Sequence, residues 1–483
     1  MDRAEAEAIY DSGREACVQL ILELAAQVEQ HGDRLRRLEE QVRQDSRTSS
    51  RPPSGDPPKT RAQRRAEARS KAKELFREGR KAGGQEGHRG AGRDLKPEDQ
   101  FDEIVDHYPG ACGGCGRQFD AEQRRPTGRF GRHQVCELPP ISVIVIEHRT
   151  HQLRCRCCRA RTSARLPQEI GSSPFGPRFQ AAVVTLTARY RISRRGITEL
   201  ARDLFGVTLS TGGVDAICQR AADALAGPHL QLQDWVLDQR AVHVDETGWR
   251  TSGEARALWT ATTPEATFLQ IAKHCNREQF DALIGTTYPG IVVSDRWNGF
   301  SHLDPHQRQV CWSHIQRDFR RHADGLGEQK TFGEQGLELT GQVFSAWRSY
   351  QRAHHDRNRL KAEIAPIQAE LRALLQDASP KSKRTRWHRR FANNLLKVWP
   401  ALWTFVSIHG VEPTNNPAER ALRGPVIHRK VSLGTQSEDG ERFAERSLSA
   451  AGTCRLQHRS LFTYLSELIT AHNRGDPFPA LAA

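Results

Sequence analysis

The sequence predicts a multidomain α/β protein, and three observations lead to this prediction. At 483 residues the chain exceeds what one hydrophobic core usually organises, so about three domains are expected. Short β-rich runs follow one another between residues 240 and 312, with one helical pattern among them and helical patterns on both sides. Two CxxC pairs lie ahead of these helices and indicate a small module of their own.

The composition favours a polyanionic partner. Lys and Arg number 72 against 58 Asp and Glu, which gives a net charge of +14 and a pI of about 9.5. Such an excess favours nucleic acid over a membrane surface. No apolar run reaches the roughly 18 residues of a membrane-spanning helix, and the N-terminus lacks a signal-sequence layout. We expect a cytoplasmic, nucleoid-associated protein, in which paired cysteines more often hold metal than form disulfides.

The N-terminal region predicts a coiled coil followed by a basic linker. Residues 45–60 are rich in Ser and Pro and cannot bury enough apolar surface to fold. From Lys59 to Arg93, twelve Lys or Arg stand against four Asp or Glu, which fits a solvated linker or an arm along a DNA backbone. A single amphipathic helix is the alternative to the coiled coil. The heptad seam, with steps of four and three, comprises Cys17, Ile21, Leu24, Val28, His31, Leu35, Leu38 and Val42.

The two CxxC pairs indicate a structural zinc site. Cys112 and Cys115 form one pair and Cys155 and Cys158 the other, so four thiolates would surround one Zn²⁺ and leave no position open for chemistry. The 40 positions from Cys115 to Cys155 exceed the usual zinc-ribbon spacing, and buried free thiols are the alternative. Three further side chains of types that bind metal lie nearby. Cys157 is inside the second pair, whereas Cys136 and His133 are outside both pairs.

Two helical patterns around a short turn predict a helix-turn-helix. Gly206 would end the first helix, and Ser210 would cap the second. The second helix, which starts at Thr211, would enter the major groove of DNA, while Arg194 and Arg195 would approach phosphates. Many such hairpins are only packing units. The predicted apolar face of the first helix comprises Ile197, Leu200, Ala201 and Leu204.

Acidic residues stand at two of the β-rich runs. In VHVDETG, side-chain alternation places Asp245 on the face opposite Val244 and Glu246. In GIVVSDRWNG, the apolar run ends at Asp295. Each aspartate alone favours an interpretation as a capping or turn residue. Together, at the carboxyl ends of neighbouring strands, they are well placed to share a metal ion.

A third acid, Glu419, stands in the stretch TNNPAERALRG. Asn416 as N-cap, Pro417 at the first helical position and Glu419 at the third would form a capping box. The helix dipole favours a carboxylate in this first turn. We therefore expect Asn416 to cap the helix while Glu419 faces the two aspartates.

The predicted order of elements matches the ribonuclease-H-like plan, which has three strands, a helix, a strand with an acid and a later helix with an acid. Two strand acids and one helix acid can hold two Mg²⁺ or Mn²⁺ ions, which prefer oxygen ligands and keep positions open for phosphate and water. The ions would neutralise carboxylates that otherwise repel one another. This combination predicts metal-assisted phosphodiester chemistry.

The order of these motifs resembles the insertion-sequence-66 family of DDE transposases. The heptad start, the DSRTSSRPPSGD linker, the GGQEGHRG segment and the CxxC pairs come first, and VHVDETGWR, VVSDRWNGF, CWSHIQRDF and TNNPAERALRGPVIHRKVSLGT follow. The resemblance covers nearly the whole chain, and DETGW and NNPAERALR are its most specific parts. Trp297 and Phe300 depart from it slightly, because the family often carries smaller or tyrosyl residues there.

The resemblance implies roles for individual residues. Asp245, Asp295 and Glu419 would be the catalytic metal ligands, and His314 and Arg317 in CWSHIQRDF would support the site. The 124 positions between Asp295 and Glu419 would include a helical insertion.

The implied activity has two steps. Water would cleave a strand at each transposon end to expose a 3′-hydroxyl, and that hydroxyl would attack target DNA without a covalent protein intermediate. The partners would be double-stranded DNA, a second protomer and accessory proteins of the same element. Two rival hypotheses remain: a zinc-containing DNA-binding regulator with an inert catalytic domain, and a metal-dependent nuclease without strand transfer.

The sequence thus predicts eight segments. They are a coiled coil (1–45), a basic linker (46–100), a zinc module (101–168), a helix-turn-helix domain (169–235), a first catalytic part (236–325), a helical insertion (326–404), a second catalytic part (405–435) and a C-terminal helical segment (436–483).

Overall fold

The fold is α/β, and we describe it from a computed structural model of the chain. It divides into two compact units, Met1–Asp56 with Val143–Ala483, and Pro57–Ser142. Most of the predicted basic linker, and the stretch 379–385, lie outside the described residues. The described residues are 10–43, 65, 69, 94–120, 127, 129–171, 173–352, 356–378 and 386–482.

Helices make up most of the larger unit. Short 3₁₀ turns supplement them at Gln168–Ile170, Asn298–Phe300, Pro305–Gln307 and Trp399–Leu402. Within the described residues the helices are α1 Arg14–Arg43, α2 Pro177–Ala188, α3 Arg194–Phe205, α4 Thr211–Ala224, α5 Ala226–Leu237, α6 Arg277–Ile284, α7 Trp312–Ala323, α8 Glu328–Arg352, α9 Arg357–Asp377, α10 Arg386–Lys397, α11 Thr404–Ser407, α12 Asn416–Ser432, α13 Glu438–Leu456 and α14 Leu461–Arg474.

The strands form a small hairpin and one five-stranded sheet. The five predicted runs between residues 240 and 312 are all strands of the large sheet, which confirms that part of the sequence prediction. The strands are β1 Gln152–Arg154, β2 Arg161–Ser163, β3 Ala241–Thr251, β4 Glu254–Thr262, β5 Thr267–Ala272, β6 Ile291–Ser294 and β7 Arg308–Val310.

The large sheet is mixed, with strand order β5-β4-β3-β6-β7. Strands β3, β4 and β5 pair antiparallel, whereas β6 pairs parallel with both β3 and β7. Strand β6 is short, and its pairing with β3 ends where His243 meets Val293. Strand β3 therefore continues past the end of β6, and its middle faces the loop that follows β6.

The two faces of the sheet are covered by different helices. On one face, helices α2 to α6, α13 and α14 share a single buried core with the sheet, so the two predicted DNA-binding helices pack in the same core as the strands. On the other face, helices α7 to α11 form a second core with β6 and β7. A third cluster places Leu422 of α12 against Trp249 and Leu258 at the far end of β3 and β4.

Helix α13 protects the edge strand β5. Alternate backbone N–H groups of β5 point outward, where an unpaired edge would invite pairing with another chain. Side-chain oxygens spaced four residues apart, on one face of α13, accept these hydrogens instead. The pairs are Thr267 N with Thr453 Oγ1 (3.0 Å), Leu269 N with Ser449 Oγ (2.9 Å) and Ile271 N with Glu445 Oε1.

The local signals of the predicted helix-turn-helix are confirmed as structure. Gly206 ends α3 in the left-handed conformation (φ 65°), and the Ser210 hydroxyl accepts from Gly213 N at 3.0 Å to cap α4. The apolar face differs at one position, since Leu204 is 54% exposed. Helix α1 confirms the helical part of the coiled-coil prediction, while self-association stays a prediction. No helix among the described residues is long and apolar enough to cross a membrane.

Candidate active site

The sheet brings Asp245 and Asp295 together. Parallel pairing of β3 with β6 ends at His243 and Val293, and the same register continued by two residues would set Asp245 beside Asp295. Neighbouring strands lie about 4.8 Å apart. Each carboxylate is oriented by a backbone N–H: Asp245 Oδ1 accepts from Glu246 N (3.0 Å), and Asp295 Oδ1 accepts from Trp297 N (2.9 Å).

A further acid, Glu246, lies in the same electrostatic field. Burial raises the pKa of Asp245 well above its usual range, and the charges of Glu246 and Asp295 raise it further, whereas His314 opposes the change. Burial also raises the pKa of Glu246 to about 7, again with a contribution from Asp295, while a hydrogen bond with Cys275 lowers it. Three partly buried carboxyl groups thus repel one another here, and a cation would relieve that repulsion.

Glu419 lies in the first turn of α12, although the predicted capping box is wrong. The helix begins at Asn416, one residue earlier than predicted, with Asn415 as the flanking residue, and no side-chain hydrogen bond caps it. Glu419 is consequently the fourth helical residue, and its N–H donates to Asn415 O at 3.2 Å. The predicted capping box fails because Asn416 is itself helical, and the side chain of Asn415, the flanking residue, is engaged elsewhere.

Asn415 joins the start of α12 to strand β3. It is fully buried; its Nδ2 donates to Val244 O at 2.8 Å, and its Oδ1 lies 3.3 Å from His243 Nδ1. The first bond fixes the orientation of the amide, so His243 must be the donor through Nδ1–H. Burial lowers the pKa of His243 to about 4, with a partial offset from Asn415, so this imidazole is neutral. The pairing ties the helix of Glu419 to the strand of Asp245.

His314 and Arg317, on helix α7, face Glu419. His314 Nε2 lies 3.9 Å from Glu419 Oε1, and Arg317 Nη2 lies 3.7 Å from Glu419 Oε2. Burial alone would lower the pKa of His314, but the Cys311 sulfur and the charge of Asp295 raise it to about 9. Both groups are cationic at neutral pH and lie just beyond hydrogen-bonding distance of the carboxylate.

Arg308 holds the loop that carries Asp295. This buried side chain on β7 donates from Nη2 to Asp295 O (2.6 Å), from Nη1 to Phe300 O (3.2 Å) and from Nε to Ser294 Oγ (3.2 Å). Its guanidinium also lies 5.3 Å from the centre of the Phe300 ring. Burial lowers the pKa of Arg308 to about 10, which leaves it charged. It positions Asp295 through the backbone.

The same loop contacts the helices of the second core. Arg296 forms an ion pair with Asp318 on α7, the helix of His314. The Arg296 guanidinium also lies 4.9 Å from the centre of the Phe391 ring on α10. The loop that carries Asp295 is therefore in contact, through Arg296, with the helical block between residues 326 and 404.

The carboxylates fit an oxygen-preferring divalent cation. Oε1 of Glu419 is buried and has no hydrogen-bond partner within the described part of the chain, and the neighbouring acids carry the repulsion described above. Across the described residues, no group of three or more His, Cys, Asp or Glu side chains is arranged so that it could already hold a metal ion. The donor set is suited to magnesium, and metal ligation by these residues stays a prediction.

The two CxxC loops have the same backbone geometry, each within its own unit. In one, Cys112 N donates to Arg117 O (2.8 Å) and Gly116 N to Cys112 O (2.9 Å); in the other, Cys155 N donates to Ala160 O (2.8 Å) and Arg159 N to Cys155 O (3.0 Å). Backbone N–H groups from the second half of each loop lower the pKa of the Cys112 and Cys155 thiols. Such loops favour thiolates, the form that binds zinc.

Comparison with known proteins identifies the family. Residues 172–442, more than half of the chain, match the model of the IS66 transposase family. The chain belongs to the IS66 family of transposases. As a member of a transposase family, the protein is an enzyme that acts on DNA. The matched range contains β3 to β7, the helical block and α12, and hence all three predicted catalytic acids.

Two further matches carry no assigned activity. Residues 2–94 of this transposase match a family of unknown function, DUF6444. The protein is also similar to the uncharacterized protein y4hP of Sinorhizobium fredii, with 22% identity over 413 residues that cover 77% of this chain and 72% of that protein.

Three residues of this transposase site were not predicted from the sequence: Glu246, Arg308 and Asn415. Alternation on β3 assigned Glu246 to the valine face, and nothing in the sequence indicated that its charge would interact with Asp295. Arg308 stands in an otherwise ordinary β run, and nothing local distinguishes it. Asn415 neighbours the residue that was predicted as the cap, and the TNNP stretch was the only signal for it.

Proposed function

We propose that this protein binds the ends of an insertion sequence, cleaves them with two Mg²⁺ ions and joins the exposed 3′-hydroxyl to target DNA. Two observations support the proposal: the sheet register sets Asp245 on β3 beside Asp295 after β6, and the buried Asn415 ties the first turn of α12, which carries Glu419, to β3. The strand order, with three antiparallel strands followed by two parallel ones, supports a ribonuclease-H-like catalytic domain.

The proposed roles follow from charge and position. Asp245, Asp295 and Glu419 would hold the metal ions, which supply an activated attacking oxygen and stabilise the leaving oxygen. His314 and Arg317 lie 3.9 and 3.7 Å from the Glu419 carboxylate oxygens. Their positive charges would attract the phosphodiester. Arg308 and Asn415 would keep the loop and the helix start in register with β3.

The remaining modules would organise the DNA. Helices α3 and α4 would contact it through Arg194, Arg195 and Thr211, of which Arg195 and Thr211 are exposed. The cysteine loops would form a zinc module from Cys112, Cys115, Cys155 and Cys158, and α1 would pair protomers. In support of that pairing, the seam residues Ile21, Leu24 and Val28 of α1 are exposed in the single chain.

The test of activity uses the full-length protein with its own element ends, a plasmid target and Mg²⁺. We expect cut ends and joined products. The Glu419→Gln variant should fold normally but leave the DNA uncut, because an amide is a poor ligand for Mg²⁺. Glu438→Gln, at the start of α13, is a matched control that also removes a first-turn carboxylate, and it should retain activity.

Each rival hypothesis predicts a different product pattern. Specific binding without cleavage, with folded protein and accessory proteins present, would indicate a DNA-binding regulator. Cleavage without joining would indicate a nuclease. For the zinc module, metal analysis of protein purified with reductant should find one Zn²⁺ per chain, and protein free of zinc would contradict that part of the proposal.

A further inference from the structure

A cluster of positive charges surrounds the second half of α12. Arg429 Nη1 lies 3.4 Å from Thr247 Oγ1 on β3. Burial lowers the pKa of the Arg429 guanidinium, and Arg250, further along β3, is close enough to lower it more. Between them lies Gly248, where a Cβ would come within 3.4 Å of Arg429 Nη1. The Arg429 guanidinium therefore lies against the backbone of β3 at Gly248.

The loop between α2 and α3 adds charge to this cluster. His428 on α12 is stacked against Trp249, with ring centres 6.2 Å apart. Burial, together with the positive charges of Arg194 and Arg191, lowers the pKa of His428 to about 4. The imidazole is therefore neutral, while cations from the helix-turn-helix, β3 and α12 lie around it.

Most of these charges are uncompensated. Arg194 pairs with Asp215 at 2.6 Å. For Arg191, Arg250 and Arg429, no carboxylate of the described residues lies within ion-pair distance. Like charges that gather without counter-ions are unfavourable in the isolated protein, and a polyanion would relieve them.

The cluster lies in line with the acidic site. Strand β3 carries Asp245 and Glu246 before Thr247 and Arg250, and α12 carries Glu419 before Arg429. The ten helical steps from Glu419 to Arg429 span roughly 15 Å. A DNA strand advances 3.4 Å of helix axis per phosphate, so this distance corresponds to roughly four nucleotides.

We propose that Arg191, Arg250 and Arg429 form a phosphate track that binds the DNA backbone about four nucleotides from the bond that is cut. The proposal rests on the proposed function, because it takes the three acids as the place of cleavage. It assigns to the second half of α12 the task of fixing the register of the strand, with no reading of base sequence.

The test measures DNA binding by fluorescence anisotropy as a function of salt. The probes are a labelled duplex that carries the element's terminal repeat, read from the DNA flanking the gene, and a duplex of scrambled sequence, both without Mg²⁺. Removing both charges in Arg250→Gln/Arg429→Gln should weaken binding to both duplexes by tenfold or more. The slope of log K against log salt should fall by about 1.8, since each lost phosphate contact removes about 0.9.

Matched variants separate charge from structure. Arg277→Gln/Arg359→Gln removes two exposed, paired arginines from α6 and α9 and should leave the slope unchanged. Arg250→Lys/Arg429→Lys keeps the charge and should keep most of the slope. If the double glutamine variant does not fold, Arg250→Gln alone, at an exposed side chain, should lower the slope by about 0.9.

The position of the contact gives an independent readout. Ethylation interference with the uncut terminal duplex should mark phosphates about four nucleotides from the cleavage position in the wild type and lose those marks in the variant. An unchanged slope, or a loss confined to the terminal-repeat duplex, would overturn the proposal. Glu419→Gln should bind with the wild-type slope, because the track does not include Glu419. A wild-type protein that binds through the track but never cuts would refute the proposed function and leave the track intact.

Discussion

The side-chain amide of Asn415 donates to the backbone carbonyl of Val244, one residue before Asp245. Through this bond and its contact with His243, a residue just ahead of α12 sets the distance between the helix of Glu419 and the strand of Asp245. Catalytic carboxylates must be held within a fraction of an ångström, and a buried, satisfied polar contact on rigid elements provides that precision.

Replacing Asn415 should therefore damage both stability and activity. Asn415→Ala leaves the Val244 carbonyl and the His243 N–H without partners in a buried site, and we expect the free energy of unfolding to fall by about 3 kcal/mol. Asn416→Ala is the matched control, because its side chain makes no hydrogen bond within the described part of the chain; it should change stability by less than about 0.5 kcal/mol. Urea denaturation measures both, and equal effects would contradict the assignment.

Removing the charge of Asp295 should stabilise the metal-free protein. Its carboxylate raises the pKa of both Asp245 and Glu246, and Asn retains the acceptor for Trp297 N. We expect Asp295→Asn to raise the free energy of unfolding in EDTA by about 1 kcal/mol and to abolish cleavage.

With Mg²⁺ in place of EDTA, the wild type should become more stable than Asp295→Asn. Added Mg²⁺ should raise the melting temperature of the wild type but not that of Asp295→Asn, since only the wild type keeps the complete site. Asp304→Asn, in a loop where the carboxylate accepts from His306 N, is the control and should respond to Mg²⁺ as the wild type does. A variant that is less stable in EDTA would argue against repulsion among the acids.

The buried Arg308 should matter more than a surface arginine. Arg308→Met removes donors from the carbonyls of Asp295 and Phe300, and we expect a loss of about 3 kcal/mol in unfolding free energy. Cleavage should fall as well, because the Asp295 loop loses its anchor. Arg277→Met, which breaks an exposed pair with Asp281, should cost less than about 1 kcal/mol. Comparable losses in the two variants would refute the anchoring role.

Glu445 should make stability depend on pH. Burial raises its pKa to about 7 in the folded protein, even though the Ile271 N–H partly opposes this, whereas the unfolded value is near 4.3. The folded state thus favours the protonated acid. The resulting stability is fully present below the unfolded pKa and is lost as the pH rises through about 7.

The variant Glu445→Gln isolates this effect, because Gln still accepts from Ile271 N but does not ionise. Relative to the wild type, it should be more stable at pH 8 than at pH 5, by about 1–3 kcal/mol in the difference of unfolding free energies. Denaturation curves at the two pH values provide the measurement. A difference independent of pH would mean that Glu445 is not buried in solution as it is in the structure.

The elements of the fold were largely predictable. Short β-rich runs predicted β3 to β7, and the signals of Gly206 and Ser210 predicted the end of α3 and the start of α4, because these patterns depend on neighbours within a few residues. Capping was predicted less well at Asn416, since the same local signal suits either Asn415 or Asn416, and the choice depends on which of them meets β3.

By itself, the sequence determined the strands, the helices and the family, and it predicts the three catalytic acids, because all of these depend on short motifs. Only the tertiary structure decided which other residues join them. Asn415 meets Val244 across 171 positions and Arg429 meets Thr247 across 182, while the charge of Glu246 matters because β6 ends early and leaves it beside Asp295. Such contacts depend on how distant elements pack, and burial and electrostatic repulsion act only once they have packed.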